Sequence, residues 1–152
     1  MALFRRRRGL SFNLLTGEAE SQVEPAVEKL ATVRGKSWIA PRSDPVDGPF
    51  YVSGTPHRQE SLAKVGSGQR LFRLVRDPDN PYDPNAVKVM AGDVHIGFIT
   101  AKNAGRYCHV IDVVEASGCE VFVHGEIRKH GNQHSSKWVA LIDCAYPNEW
   151  PV

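Results

Sequence analysis

Long apolar runs are missing from this 152-residue sequence. Nothing in it approaches the roughly 20 consecutive apolar residues that cross a bilayer as a helix, so no transmembrane helix and no membrane partner are expected. The segment from Leu10 to Leu15, behind the arginine run Arg5 to Arg8, is short, holds Ser11 and Asn13 and leads into acidic residues, which argues against a secretory leader. Cysteine is scarce and odd in number. Cys108, Cys119 and Cys144 sit inside apolar patterns, which fits buried thiols in a reducing, cytoplasmic compartment better than a disulfide framework. Together with His109, His124, His130 and His134 they show none of the paired spacings of a zinc ribbon or finger, so no metal site and no cofactor are expected. Catalytic signatures are also lacking. Ser61, Ser67 and His57 occur without a nucleophile elbow, a phosphate-cradling glycine loop or any translocase motif, so a non-enzymatic protein is expected. There is no internal repeat and no low-complexity tract.

A strong charge of either sign is absent from most of the chain. Up to Pro45 there are eight Lys and Arg against five Asp and Glu, a net +3; from Val46 onward there are eleven against twelve, a net −1. The basic character belongs to the N-terminal arm. A nearly neutral domain cannot follow a long stretch of phosphates, because affinity for nucleic acid grows with each cation that displaces counterions. Any nucleic-acid footprint should therefore be small.

What the chain does have is an unusual loop, Arg76, Asp77, Pro78, Asp79, Asn80, Pro81, Tyr82, Asp83, Pro84, Asn85. Each of the three prolines fixes its own φ and pushes the preceding residue toward extended conformations, so neither a helix nor a central strand runs through. Asp and Asn side chains hold such a loop by bonding nearby backbone groups, which leaves Tyr82 and Asp83 as the groups on display. Two other readings of these residues exist. Asp83 could cap a purely structural turn with Tyr82 covering the core. Asp77, Asp79 and Asp83 could ligate calcium, except that the required glycine is absent and Lys88 occupies the twelfth position.

Around the loop the patterns alternate between strand and helix. Residues 1–48 form an expected N-terminal extension with a basic arm, a short amphipathic helix over 18–34 (Val23, Val27, Leu30, Val33) and a Pro-rich linker over 35–48 that Trp38 and Ile39 pin down. Strands are expected at 50–54, 71–75, 86–90, 94–99, 119–124 and 138–142, with Val94, Ile96 and Phe98 on one face. A short helix is expected within 58–65. A main helix begins after Thr100 as its cap, carries Ala104, Tyr107, Cys108, Ile111 and Val114 on one stripe, and ends near Gly118. The fold expected is mainly β (α+β), a small barrel of five to six strands over residues 49–146, with one main helix after the fourth strand, one short helix and a C-terminal tail at 147–152. A hairpin tip with Arg128, Lys129, His130, His134 and Lys137 around Gly131 and Asn132 reads as solvated, or as a phosphate-contacting edge.

Taken together, the segment Gly54 to Val65, the loop Arg76 to Ala86, the run Ile96, Gly97, Phe98 and the following helix with Ala104 resemble a HIRAN domain over about residues 49–145. The resemblance is to the small standalone bacterial-type members. It implies an OB-like β-barrel and binding of single-stranded DNA at its 3′ end, in the setting of DNA repair or stalled replication forks. Carried over by position, Asn80, Tyr82 and Asp83 match the end-binding loop, with Asp83 as the carboxylate that reads the terminal hydroxyl. His57 falls at the base-stacking aromatic, Arg58 lies beside it, and Trp138 stands for a late aromatic that closes the pocket. Phe98 and Ala101 occupy positions where the eukaryotic pattern has a histidine and a lysine, so two phosphate contacts are lost unless Lys102 replaces them.

The physics of that implied site is coherent. A carboxylate repels phosphate, so Asp83 suits a DNA site only where the ligand offers a hydroxyl in place of a continuing backbone. Stacking on Tyr82, His57 or Trp138 would add about 1 to 3 kcal/mol per base with little sequence preference. The expected partner is thus a single-stranded DNA 3′ end, with a separate helicase, nuclease or replication protein supplying any further activity. The alternative is a protein-interaction module using the same barrel without nucleic acid.

Overall fold

The computed structural model describes residues 36–132 and 134–152. The arginine arm and the helix expected over 18–34 lie outside the described residues.

Alternation of apolar and polar residues builds the wall of the molecule. Seven strands, β1 (Lys36–Ile39), β2 (Phe50–Tyr51), β3 (Gly68–Arg76), β4 (Val87–Ala91), β5 (Val94–Phe98), β6 (Cys119–Gly131) and β7 (Ser136–Asp143), form one curled sheet in the order β2-β7-β6-β3-β4-β5. Pairing along this path is antiparallel, and β1 joins β6 in parallel, with Lys36 opposite Cys119 and Ile39 opposite Phe122. An isolated bridge between Ser53 and Phe98 ties the edge beyond β2 to the edge strand β5, so the half-barrel is nearly closed in OB-like fashion. The short helix α1 (Gln59–Val65) follows a 3-10 turn at Thr55–His57, and the long helix α2 (Ala101–Ala116) connects β5 to β6.

The expected helical stripe is the buried one: Ala104, Tyr107, Cys108, Ile111 and Val114 all face the barrel. Thr100 does stand at the N-cap, but its side chain makes no capping hydrogen bond. The barrel interior is filled by Phe72, Leu74, Val87, Val89, Val121, Val123 and Ile142, each fully buried. Packing is tight at Gly125, where a Cβ would lie 2.3 Å from the Phe72 ring and 2.6 Å from Leu141 O, so β6 needs a residue without a side chain there.

Three features exceed the sequence reading. Strand β1 lies within the stretch read as a linker, which raises the strand count to seven and puts α2 after the fifth strand. Trp38 from that strand stacks at 5.0 Å on Trp150, which in turn meets Tyr107 edge-on at 5.8 Å and donates its indole N–H to Ala145 O. Residues expected as a C-terminal tail thus place a buried ring against the core. The third concerns β5. The β4–β5 register shifts between Val89 and Met90, so that Lys88 pairs with Phe98 while Met90 pairs with His95, and Ile96 is the extra residue of a β-bulge. Directly opposite residues share a face, and Lys88 and Met90 are on the same face of β4, so His95 and Phe98 both point outward. Val94, Ile96 and Phe98 therefore do not share one face as their spacing suggests: Ile96 is buried and Phe98 is turned to the outside.

Candidate nucleic-acid interface

The proline loop is held by its own side chains. Asn80 Nδ2 donates to Asp77 Oδ2 at 3.1 Å, and Asn80 Oδ1 accepts the backbone amides of Tyr82 at 2.9 Å and Asp83 at 3.1 Å. Asp83 Oδ1 accepts the amide of Asn85 at 2.9 Å, and Ala86 N donates to Asp83 O at 3.0 Å. Arg76 braces the base, ion-pairing with Asp112 of α2 at 2.5 Å and reaching Pro84 O at 3.4 Å. One oxygen of Asp83 is committed to the turn; among the described residues no hydrogen bond reaches the other. Tyr82 stands at the tip with 95 % of its surface exposed and no ring partner among the described residues, so it does not cover the core.

A second group sits on the outer face of the β4–β5 hairpin. Gly97 lets the chain before α1 come close, since a Cβ there would meet Ser53 O at 2.4 Å and Val52 Cγ1 at 2.5 Å. That approach lays Arg58 over Phe98, with its guanidinium carbon 6.0 Å from the ring centroid and Nη1 3.5 Å from His95 O. His95 meets Phe98 edge-on at 4.8 Å, and its Nε2 donates to Gly97 O at 2.8 Å, which sets the tautomer because a carbonyl can only accept. Burial, then the Arg58 charge, lowers the His95 pKa, with Lys88 adding to the effect; the bond to Gly97 O and the Asp77 charge work the other way. Asp77, at the foot of the proline loop, is therefore within electrostatic reach of this patch.

The structure distributes the remaining expected site residues as follows. His57 is exposed at the end of the 3-10 turn and makes no ring contact with Tyr82, Phe98 or Trp138 among the described residues. Trp138 is half-buried and fixed to the start of α1 by two bonds from one side chain: Gln59 Oε1 accepts Trp138 N at 2.8 Å and Gln59 Nε2 donates to Trp138 O at 2.9 Å. Lys129 Nζ lies 5.2 Å from the Trp138 ring centroid. Lys102 is exposed in the first turn of α2. Arg58 and Phe98 are thus brought together, while Tyr82 and His57 stand on separate segments. Sequence reasoning missed Lys88, His95 and Gln59; only the bulge, invisible in the alternation of residue types, places the first two beside Phe98.

Two cavities lie away from these groups. A wide groove of about 630 Å³ runs between α2 and the C-terminal segment, lined by Arg106, His109, Val110, Val113, Pro147 and Asn148. A smaller one of about 110 Å³ is bordered by Arg42, Gln69, Glu126, Arg128 and Asp143. Neither includes Tyr82, Asp83 or His57. Among the described residues no three His, Cys, Asp or Glu groups are arranged to hold a metal ion. The cysteines are unpaired; Cys144 is buried beside Tyr107 Oη at 3.5 Å, and burial pushes its thiol up to about 12.

The curled, OB-like half-barrel sheet with its one long helix carries a self-braced acidic and aromatic loop and an outward aromatic patch. The family model of the HIRAN domain matches residues 48–139, and the chain belongs to that family. HIRAN domains are single-stranded-DNA-binding domains, and no helix among the described residues is long and apolar enough to cross a membrane. Searches of characterised proteins and of solved structures found no match.

Proposed function

We propose that this domain captures the 3′-OH end of single-stranded DNA without catalysing a reaction on it, and that the proline loop reads the terminus. The observation that carries this reading is the divided role of Asp83, one oxygen holding the Asn85 amide and the other unclaimed beside a fully presented Tyr82 ring. A terminal hydroxyl donates to that second oxygen. A continuing strand or a 3′-phosphate instead presents negative charge to it and offers no donor. Tyr82 supplies a stacking face for the last base, with His57 and Trp138 as further rings on other segments. Arg58 and Phe98 belong to the side facing the strand. Unwinding or cleavage of the bound DNA would come from another polypeptide.

Fluorescence anisotropy with two oligonucleotides differing only in a 3′-OH or a 3′-phosphate tests the reading. A charge-assisted hydrogen bond of about 1.5 to 3 kcal/mol predicts at least about tenfold preference for the hydroxyl. Asp83→Ala removes the preference. Equal affinity of the wild-type protein for both ends removes the proposal and leaves the protein-interaction alternative.

A further inference from the structure

The bulge at Ile96 turns two residues of β5 outward onto the face that carries Lys88. Lys88 is directly across the strand pair from Phe98, where opposite Cβ atoms are about 4.5 to 5.5 Å apart. Arg58 lies over the same ring. Both cations are close enough to His95 to depress its protonation, and among the described residues neither is in an ion pair with a carboxylate. The acid nearest to them in this respect, Asp77, already accepts a hydrogen bond from Asn80. Two cations without a carboxylate partner among the described residues, beside an outward aromatic ring and next to the foot of the end-reading loop, form a surface complementary to a phosphodiester and its sugar or base.

We infer that Lys88 and Arg58, gathered around Phe98 by the β5 bulge, form the phosphodiester subsite of this domain and hold the strand immediately 5′ of its terminal nucleotide. Lys88, rather than Lys102, makes up for the cations that Phe98 and Ala101 displace. This rests on the end-binding reading above, and it adds the residues that meet the backbone. Phe98 is then a platform and not a lost contact. Its ring is held edge-on by His95, whose own orientation is fixed by Gly97 O.

The salt dependence of binding to a ten-nucleotide oligothymidylate with a 3′-OH separates the two claims. Each single-strand phosphate contact contributes a slope of about 0.7 in log affinity against log salt. Lys88→Gln in the full chain is expected to lower the slope by about that amount and to weaken binding about five- to tenfold at low salt. Its ratio of 3′-OH to 3′-phosphate affinity should stay that of the wild type. Lys88→Arg retains the slope, Arg58→Gln loses as much as Lys88→Gln, and Lys102→Gln changes neither quantity. Circular dichroism melts of each variant establish that the fold is kept. Wild-type end preference with an unmoved Lys88→Gln slope overturns the subsite and leaves the end reading intact. Wild-type binding without end preference, but with the Lys88-dependent slope, overturns the end reading and the placement beside a terminal nucleotide, and leaves Lys88 as a phosphate contact. No binding by the wild type overturns both.

Discussion

The β3–β6–β7 wall and the loop Asp77–Asn85 are built on opposite economies. In the wall, Phe72, Val123 and Ile142 are sealed from solvent, and Gly125 leaves no room for a side chain. In the loop, hydrogen bonds from Asn80 and Asp83 to nearby amides set the shape, and the largest side chain, Tyr82, touches water. Stability thus resides where burial is complete, and the proposed recognition where local bonding frees a ring and one carboxylate oxygen for a ligand. Changes in one region should leave the other almost unaffected.

The sharpest way to break that separation is to damage the wall. Phe72→Ala is expected to cost about 3 to 5 kcal/mol, because it removes a buried ring and leaves a cavity. Chemical denaturation would measure this, and a loss below 1 kcal/mol would mean the ring is not the keystone its burial implies. Gly125→Ala should cost about 1 to 3 kcal/mol through overpacking against Phe72 and Leu141 O, seen as a lower Tm.

Acid should weaken the fold through buried and half-buried imidazoles. His124, buried in β6, is held at a pKa of about 3 by burial first and the Arg42 charge second, with Asp143 opposing. Its ordinary value is 6.5. The unfolded chain therefore takes up a proton between pH 6.5 and about 3 that the folded chain refuses. Stability is full above pH 6.5 and falls as pH drops, by at most about 1.4 kcal/mol per pH unit for this one group. His95, lowered in the same direction, adds to the loss. Denaturation at pH 7, 6 and 5 checks the sign, and His124→Met should flatten the dependence. Asp143 acts in a different window: burial raises its pKa, but hydrogen bonds from Ser43 and Arg42 outweigh this and hold it below 3.8, so its contribution is lost only in stronger acid.

In the loop, Asn80→Ala should cost about 1 to 2 kcal/mol, since Oδ1 satisfies two amides, and should blunt the 3′-OH preference by loosening Asp83. The smallest stability change belongs to Tyr82→Ala, within about 0.5 kcal/mol of the wild type, coupled to a clear loss of DNA affinity. A large drop in Tm for that variant would show that the exposed ring has a structural role and would erase the contrast.

Much of this was readable in the residues. The α2 stripe, the strands flanking the proline loop and the Asx-type bracing around Asn80 and Asp83 follow from periodicity and local chemistry. Strand β1 was not readable, because Lys36–Ile39 is four residues long and pairs with β6 some eighty residues away. Its neighbouring Pro and Ser residues read as linker. Nor was the outward turn of Phe98. A one-residue bulge leaves the spacing of Val94, Ile96 and Phe98 intact while reversing the face of one of them.

The sequence by itself determined that three prolines and two side-chain-bonded turns would present Tyr82 and Asp83, because those constraints act within ten residues. Only the tertiary structure decided which cations stand beside Phe98 and which way that ring faces. Those neighbours come from strand register, a bulge and the close approach of Ser53 to Gly97, all contacts between distant parts of the chain that no local pattern encodes.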